Sequence, residues 1–513
     1  MLSSKMCGLA ATAVALCASS AFAASNLSMS ASDSTLKAGE KLVVTVALNG
    51  DSVSGVGAQF VLSYDESKLS LDEVSGGGSF YTVASGSPLD LEIYESHDSV
   101  NGTYMLALGT DEGTTDETLS GGFITLSFTA LAEFNAVSSL VEFSTVNGQS
   151  SMLSNAAASA ISLDAATNLG AVTFDTTAPS VVNTPANRSF WADADGSNAA
   201  VVSITQPTGS DNFDSSVAIT YSRSAGSGLS SFAAGGVTTI TWTATDDCGN
   251  TATTTTTVDV SADSLAFANV AMGGAFETDS FTRGVALQLS QSTDSDSDTR
   301  TVSVTETGSG ASTRASGSAN FEVSGSINWA SGCGRLRDPL HTLRRAMSVG
   351  SDATAGSHGG RDYNSRFTVD GSSSTEYLYV GNGNGDTVID ILDFSTFVAQ
   401  RGTSLAVNTT ASTSGPHTDF NASGVVNNAD LSYLAVNFFK VDETCGGSYN
   451  GTAPRDRVSV KDLRRAGLGH QAIADINGDG WVDTTDITLF LQGVEPRQPA
   501  RPARAAAPDT VDW

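Results

Sequence analysis

Apolar and polar residues alternate along most of the chain, and alternation of this kind predicts strands with one buried and one solvated face. Lys41–Leu48 and Val56–Asp65 mix β-branched and aromatic residues at this period, followed by a turn and Lys68-Leu69. Gly121–Phe128 alternates again, and Ile240, Trp242 and Ala244 alternate with threonines. Val285–Leu289, Thr301–Val304 and Glu376–Val380 are strand-like, with the Ser/Asp-rich stretch Ser292–Asp298 predicted as a turn. Glycine- and serine-rich turns separate these runs, as sandwiches require. The period changes only near the C-terminus. Phe394, Phe397 and Val398, then Leu431 and Leu434, then Ile487, Phe490 and Leu491 recur at helical spacing. The predicted fold class is mainly β: tandem β-sandwich modules, a third sandwich among them, followed by small α-helical repeats.

Each helical run is preceded by a ladder of oxygen-bearing side chains. In the last, Asp475, Asn477, Asp479, Asp483 and Asp486 stand at positions 1, 3, 5, 9 and 12, with Gly480 at position 6. Trp481 fills position 7, which an EF-hand gives to a backbone carbonyl. A hard cation needs six to eight oxygens, and the glycine lets the backbone turn beneath it, so calcium is the predicted cofactor. The EF-hand consensus has Glu at position 12, where this chain has Asp486. A loop of this kind, followed by a helix but not clearly preceded by one, resembles a dockerin repeat. The same ladder occurs at Asn382, Asn384, Asp386, Asp390 and Asp393, with Thr387 in the glycine's place at an expected backbone cost. It occurs again at Asp419, Asn421, Ser423, Asn427 and Asp430. A decayed copy at Val458–Leu463 keeps only the second half, and its implied start at Gly451 lies 24 residues before Asp475. That spacing resembles the two halves of a dockerin. Carboxylate count tunes affinity, so the 475–486 loop is expected to bind tightest, then 382–393, then 419–430.

The first 23 residues carry Lys5, a small apolar run from Gly8 to Leu16, and Ala21-Phe22-Ala23, the marks of a cleaved export signal. No other run is long and apolar enough to span a bilayer, so the expectation is a secreted, extracellular protein, with the cell surface possible. The formal net charge of −30 argues against nucleic acid or anionic membrane as partners. Beyond the signal the cysteines are Cys248, Cys333 and Cys445, which permit at most one bridge; whether one forms is open.

Gly57, Phe60, Leu62, Tyr64-Asp65 and Leu69, with the Gly-x-Phe run from Gly121 to Phe128, resemble a cohesin domain, although Gly55 holds the place of the pattern's valine. That resemblance implies binding to dockerin-type proteins. Sugar-stacking relatives of this fold use aromatic platforms, yet the tryptophans (Trp191, Trp242, Trp329, Trp481, Trp513) all lie outside this module. Asp175–Pro179, Asp211-Asn212 and Ala234–Asn250 resemble a hyalin repeat (HYR) domain, an immunoglobulin-like sandwich linked with adhesion. The family's usual cysteine pair is replaced here by Phe213 and threonines.

The run Arg335–Arg345 is the densest basic cluster in the folded part, read as a local patch closing a loop. The five histidines are scattered, and no H-E-x-x-H, G-x-S-x-G or phosphate loop is present, so no catalytic activity is expected. The predicted organisation is a signal peptide (1–23), a cohesin-like sandwich (24–175), an HYR domain (176–262) and a β-rich domain of unknown family (263–378). A dockerin-like pair with two calcium loops (379–445), a second with one (446–494) and a disordered tail (495–513) follow. The expected function is a non-catalytic calcium-binding scaffold or adhesion protein, with other proteins as partners through both kinds of module and self-association possible. The alternative is a carbohydrate-binding accessory protein that takes polysaccharide.

Overall fold

The computed structural model describes residues 25–74, 77–111, 115–194, 199–277, 279–307, 313–372, 376–405 and 416–497. The predicted signal segment and most of the predicted tail lie outside the described residues. The chain is mainly β, as the period-2 pattern requires, and forms two compact units. One comprises Met1–Thr184, Gln206–Tyr221 and Thr241–Thr254; the other comprises Pro185–Thr205, Ser222–Ile240 and Thr255–Trp513. Among the described residues, no helix is long and apolar enough to cross a membrane.

The first unit contains a β-sandwich. One sheet joins β1 (Asn26–Ala31), β2 (Lys41–Gly55) and β6 (Glu117–Ala130). The other joins β3 (Gly57–Tyr64), β5 (Thr103–Gly109) and the edge strand β4 (Leu91–Asp98). Leu42, Val44, Val46 and Leu48 alternate inward from β2. They meet a core that includes Phe60, Leu62 and Leu106, and the Phe60 and Phe123 rings lie 5.8 Å apart. Gly57 is constrained by space: a Cβ there would sit 2.9 Å from the Ser154 Oγ.

The stretch resembling an HYR domain contributes to both units. In the first, Ser180–Val182 pairs with Thr208–Ser210. In the second, β7 (Arg188–Ala192) runs parallel to a long strand, β9. Ile240, Trp242 and Ala244, all fully buried, form the inward face of β8 (Gly236–Thr245), as alternation predicted. The boundary expected at 262 falls inside β9 (Thr251–Gly273), which continues through it without a linker.

The third sandwich expected beyond it is instead a ring of strands that closes on itself. Its members are β9, β10 (Ser280–Gln291), β11 (Asp294–Thr307), β12 (Arg314–Ser324), β13 (Cys333–Arg337), β14 (Arg345–Asp352) and β15 (Arg366–Gly371). The pairing runs β9–β12–β11–β10–β13–β14–β15 and returns from β15 to β9. Each of these strands thereby has a neighbour on both sides, β11 and β12 pairing over Thr305–Thr307 and Arg314–Ser316. Ala266, Leu287, Val304, Phe321, Phe367 and Trp329 fill the inside. Ser292–Asp298 is a strand rather than a turn for most of its length, because Ser292, at φ 52°, makes a tight hairpin by itself with Thr293. Asp296 and Asp298 then accept from the backbone N–H groups of Ser324 (2.6 Å) and Glu322 (2.9 Å), serving where β11 and β12 are not in register. The strand expected at Glu376–Val380 reduces to isolated bridges at Leu378 and Val380.

The helices follow: α1 (Ile391–Gln400), α2 (Leu431–Asn437), α3 (Val460–Arg465) and α4 (Thr484–Leu491). Two separate helical pairs were expected; one interlocked block is found. Phe490 of α4 packs against Phe394 and Phe397 of α1, with ring centroids 6.1 and 5.6 Å away. Ser395 donates to Gln471, whose amide donates in turn to Thr396. The block shares one continuous apolar core with the ring.

Candidate calcium-binding loops

The three predicted loops repeat one hydrogen-bond pattern at the same register. At position 12, Asp393, Asp430 and Asp486 each close their loop by accepting backbone N–H groups from both ends of it. Asp393 takes Gly383 (2.8 Å), Asn384 (3.2 Å) and Asp390 (2.8 Å). Asp430 takes Asn421 (3.0 Å) and Asn427 (2.9 Å), and Asp486 takes Ile476 (2.7 Å), Asn477 (3.2 Å) and Asp483 (2.9 Å). Position 1 folds back in the same way. Asn382 accepts from Gly385, Asp419 from Ser423 and Gly424, and Asp475 from Gly478 and Gly480. Asn384, Asn421 and Asn477 each accept from the backbone two residues on, as do Asp386, Ser423 and Asp479.

Position 9 links the loop to its helix. Asp390, Asn427 and Asp483 accept from Leu392, Ala429 and Thr485. In α1 and α4 this forms a capping box with the position-12 aspartate, which satisfies the helix's first free N–H groups. Each turn needs a left-handed residue at position 4, supplied by Gly385, Ala422 and Gly478. The cost expected at Thr387 is not met there, since Thr387 is not among the residues of positive φ. Its carbonyl accepts from Asp442 and its hydroxyl bonds Tyr449, so the chain bends at Thr387 without a left-handed residue there.

Burial separates the loops. Asn382, Asp390, Asp393, Asp419, Asn421 and Asp430 are at most 2% exposed, whereas Asp479 is exposed and Trp481 is 41% exposed. Desolvation pushes the Asp393 carboxyl well above the carboxylate range and Asp430 up to about 6; it raises Asp390 and Asp486 too. Carboxylates buried against this electrostatic cost, in an all-oxygen donor set, suit a hard divalent cation that restores their charge. Strand pairing brings the 475–486 loop onto its decayed copy. β16 (Arg457–Ser459) pairs antiparallel with β17 (Trp481–Asp483), and Ser459 caps α3 through the Asp462 N–H.

The basic run closes its own loop, Arg337 Nε donating to the Thr342 carbonyl (3.1 Å), and grips this block as well. Arg337 donates to the Gly385 carbonyl (2.7 Å), Arg344 pairs with Asp442 (3.0 Å) and Arg345 with Glu443 (2.9 Å). Cys333 and Cys445 form a disulfide beside them, and Cys248 remains a buried free thiol.

Two clusters gave no sequence signal. His341 and His417 meet at 3.1 Å, and Asp338 lies 3.5 Å from His341; all are buried. In the first unit, the carboxylates of Asp175, Asp211 and Asp246 come within 4.8 Å of one another. Those aspartates mark the HYR-like pattern, but nothing in their spacing foretold that they meet.

Residues 27–165 match the model of the cohesin domain, and residues 174–260 that of the HYR domain. Both are non-catalytic modules, and the first is a protein–protein interaction module. Among solved structures, a type II cohesin from Bacteroides cellulosolvens is 13% identical with a TM-score of 0.25, covering 29% of this chain and 99% of that one. The second type II cohesin module of the ScaA scaffoldin of Acetivibrio cellulolyticus is 17% identical with a TM-score of 0.24, covering 29% and 96%. A type I cohesin–dockerin complex from Clostridium thermocellum is 13% identical with a TM-score of 0.22, covering 30% and 99%. A search of the curated proteins finds no match to this chain.

Proposed function

We propose that the protein is a secreted, non-catalytic scaffold whose cohesin-like module docks a dockerin-type partner and whose C-terminal loops bind calcium as an internal brace. The docking reading rests on the cohesin match together with one surface. On the edge strand β4, a bulge between Glu92 and Tyr94 turns neighbouring apolar side chains outward, leaving Leu91 45%, Ile93 65% and Tyr94 51% exposed. Bulges re-aim side chains in this way, and clustered exposed apolar groups mark interaction surfaces. The brace reading rests on burial. Most of α1, including Ile391, Phe394, Phe397 and Val398, is covered within its own block, so little of it is left to present to a second protein.

Head-to-tail self-linking is the second reading, favoured by the exposed Trp481, Leu491 and Val494 on the last repeat. Polysaccharide binding draws less support, because Trp191, Trp242 and Trp329 are buried. The test is binding of the full mature chain to a panel of dockerin modules, wild type against Ile93→Asp. Binding that Ile93→Asp abolishes supports the docking surface; binding that it leaves unchanged refutes it.

A further inference from the structure

The 419–430 loop carries only two carboxylates, and the structure supplies an acid from elsewhere in the chain. Glu277 stands in the arch between β9 and β10, 144 residues upstream of Asn421. Its backbone N–H donates to the Asn421 carbonyl (3.0 Å), and its Oε1 accepts from the Asn421 Nδ2 (3.1 Å). An amide held by its NH2 end has its oxygen aimed the other way. The Asn421 Oδ1 accordingly faces into the loop, where it accepts from Ser423 (3.1 Å). The arch is fixed at the same place by Tyr433 of α2. The Tyr433 hydroxyl donates to the Ala275 carbonyl, and its ring lies 5.8 Å from that of Phe276.

We propose that Glu277 is a positioning residue for calcium at the 419–430 loop, holding the Asn421 amide with its oxygen toward the ion and tying loop occupancy to closure of the 274–277 arch. The proposal rests on the calcium reading above. Asparagine holds position 3 in all three loops: its NH2 donates to the position-5 carboxylate in the other two (Asn384 to Asp386 and Asn477 to Asp479, both 2.9 Å), and here, where position 5 is Ser423, to Glu277, so that an aspartate at 421 would face the Glu277 carboxylate at hydrogen-bond distance. Two like charges at that separation repel, and position 421 is buried although Glu277 itself is exposed.

The experiment measures calcium stoichiometry and affinity of the full mature chain by equilibrium dialysis and calorimetry. Asp430→Ala first identifies the site by the ion it removes. Loss of an outer partner that orients a ligand lowers affinity about 10- to 100-fold, so Glu277→Ala should weaken this site by about tenfold or more. Asn421→Asp adds a carboxylate, which by charge count alone tightens a loop, yet here it should weaken the site. The double variant Glu277→Gln/Asn421→Asp reverses the donor and acceptor and should return to within about threefold of the wild type, since the hydrogen bond is restored. Tighter binding by Asn421→Asp alone, no loss in Glu277→Ala, or no recovery in the double variant overturns the proposal. If Asp430→Ala removes no ion, the calcium reading itself fails, an outcome distinct from the others.

Discussion

On the calcium reading proposed above, buried carboxylates in the loops predict that the stabilisation by calcium depends on pH, with a definite sign. The Asp430 carboxyl rises from an ordinary 3.8 to about 6 in the folded, ion-free protein, because burial disfavours its charge. A raised pKa means that the folded state holds the proton more tightly than the unfolded chain. Its contribution to stability is fully present below pH 3.8 and is lost as pH rises through 6. A shift of roughly two units at about 1.4 kcal/mol each makes that loss on the order of 3 kcal/mol. Asp393 and Asp486 shift in the same direction. A calcium ion held as proposed would bind the deprotonated forms and offset this loss, so the gap between calcium-loaded and calcium-free protein should widen from pH 4 to pH 7.

His341 and His417 are depressed by burial and pull the other way, destabilising the fold as pH falls below 6.5. The pair touches the 419–430 loop through the Asp419 N–H, and the Asp419 charge raises His341, so an ion there would depress the pair further and also widen the difference as pH rises. The assay is calorimetry of the dialysed, calcium-free protein against calcium-saturated protein across that range. At about 2–4 °C per kcal/mol for a unit of this size, Asp430 alone adds roughly 6–12 °C to the calcium-induced rise in Tm. A calcium effect that is flat with pH, or larger at pH 4 than at pH 7, would refute the reasoning.

Other substitutions test the block and the order of its sites. Phe397 is fully buried between Phe394 and Phe490, so Phe397→Ala should cost about 3–5 kcal/mol, read as a lower midpoint in denaturant melts with calcium present. Asp486→Ala should remove the tightest of the calcium sites by calorimetric titration, because its loop has the most carboxylates; loss of a weak site instead would show that burial, not charge count, sets the order. The same loop, with Asp479 and Trp481 exposed, should take up its ion fastest when calcium is added to the ion-free protein, followed by stopped-flow fluorescence.

Much of this was legible because it is local. Side-chain oxygens at fixed spacing name a loop whatever surrounds it, and the loop geometry repeats at each nominated residue from Asn382 to Asp486. Period-2 runs likewise gave the faces of β2, β3 and β8, since alternation depends only on the pleat. What local pattern does not encode is partner choice at long range. Closure of the ring depends on β9 pairing with both β12 and β15. Cys333 meets Cys445 across 112 residues and Glu277 meets Asn421 across 144. The basic run read as a self-contained patch because its acids, Asp442 and Glu443, lie about a hundred residues downstream.

The brace and the self-linking chain differ most plainly in mass. Light scattering after size exclusion, on the mature protein with calcium and with chelator over a range of concentrations, decides between them. An internal brace predicts one monomeric mass in both conditions, eluting later, and so more compact, with calcium. Mass that grows with protein concentration only in calcium would contradict it and assign the C-terminal repeats to a second molecule.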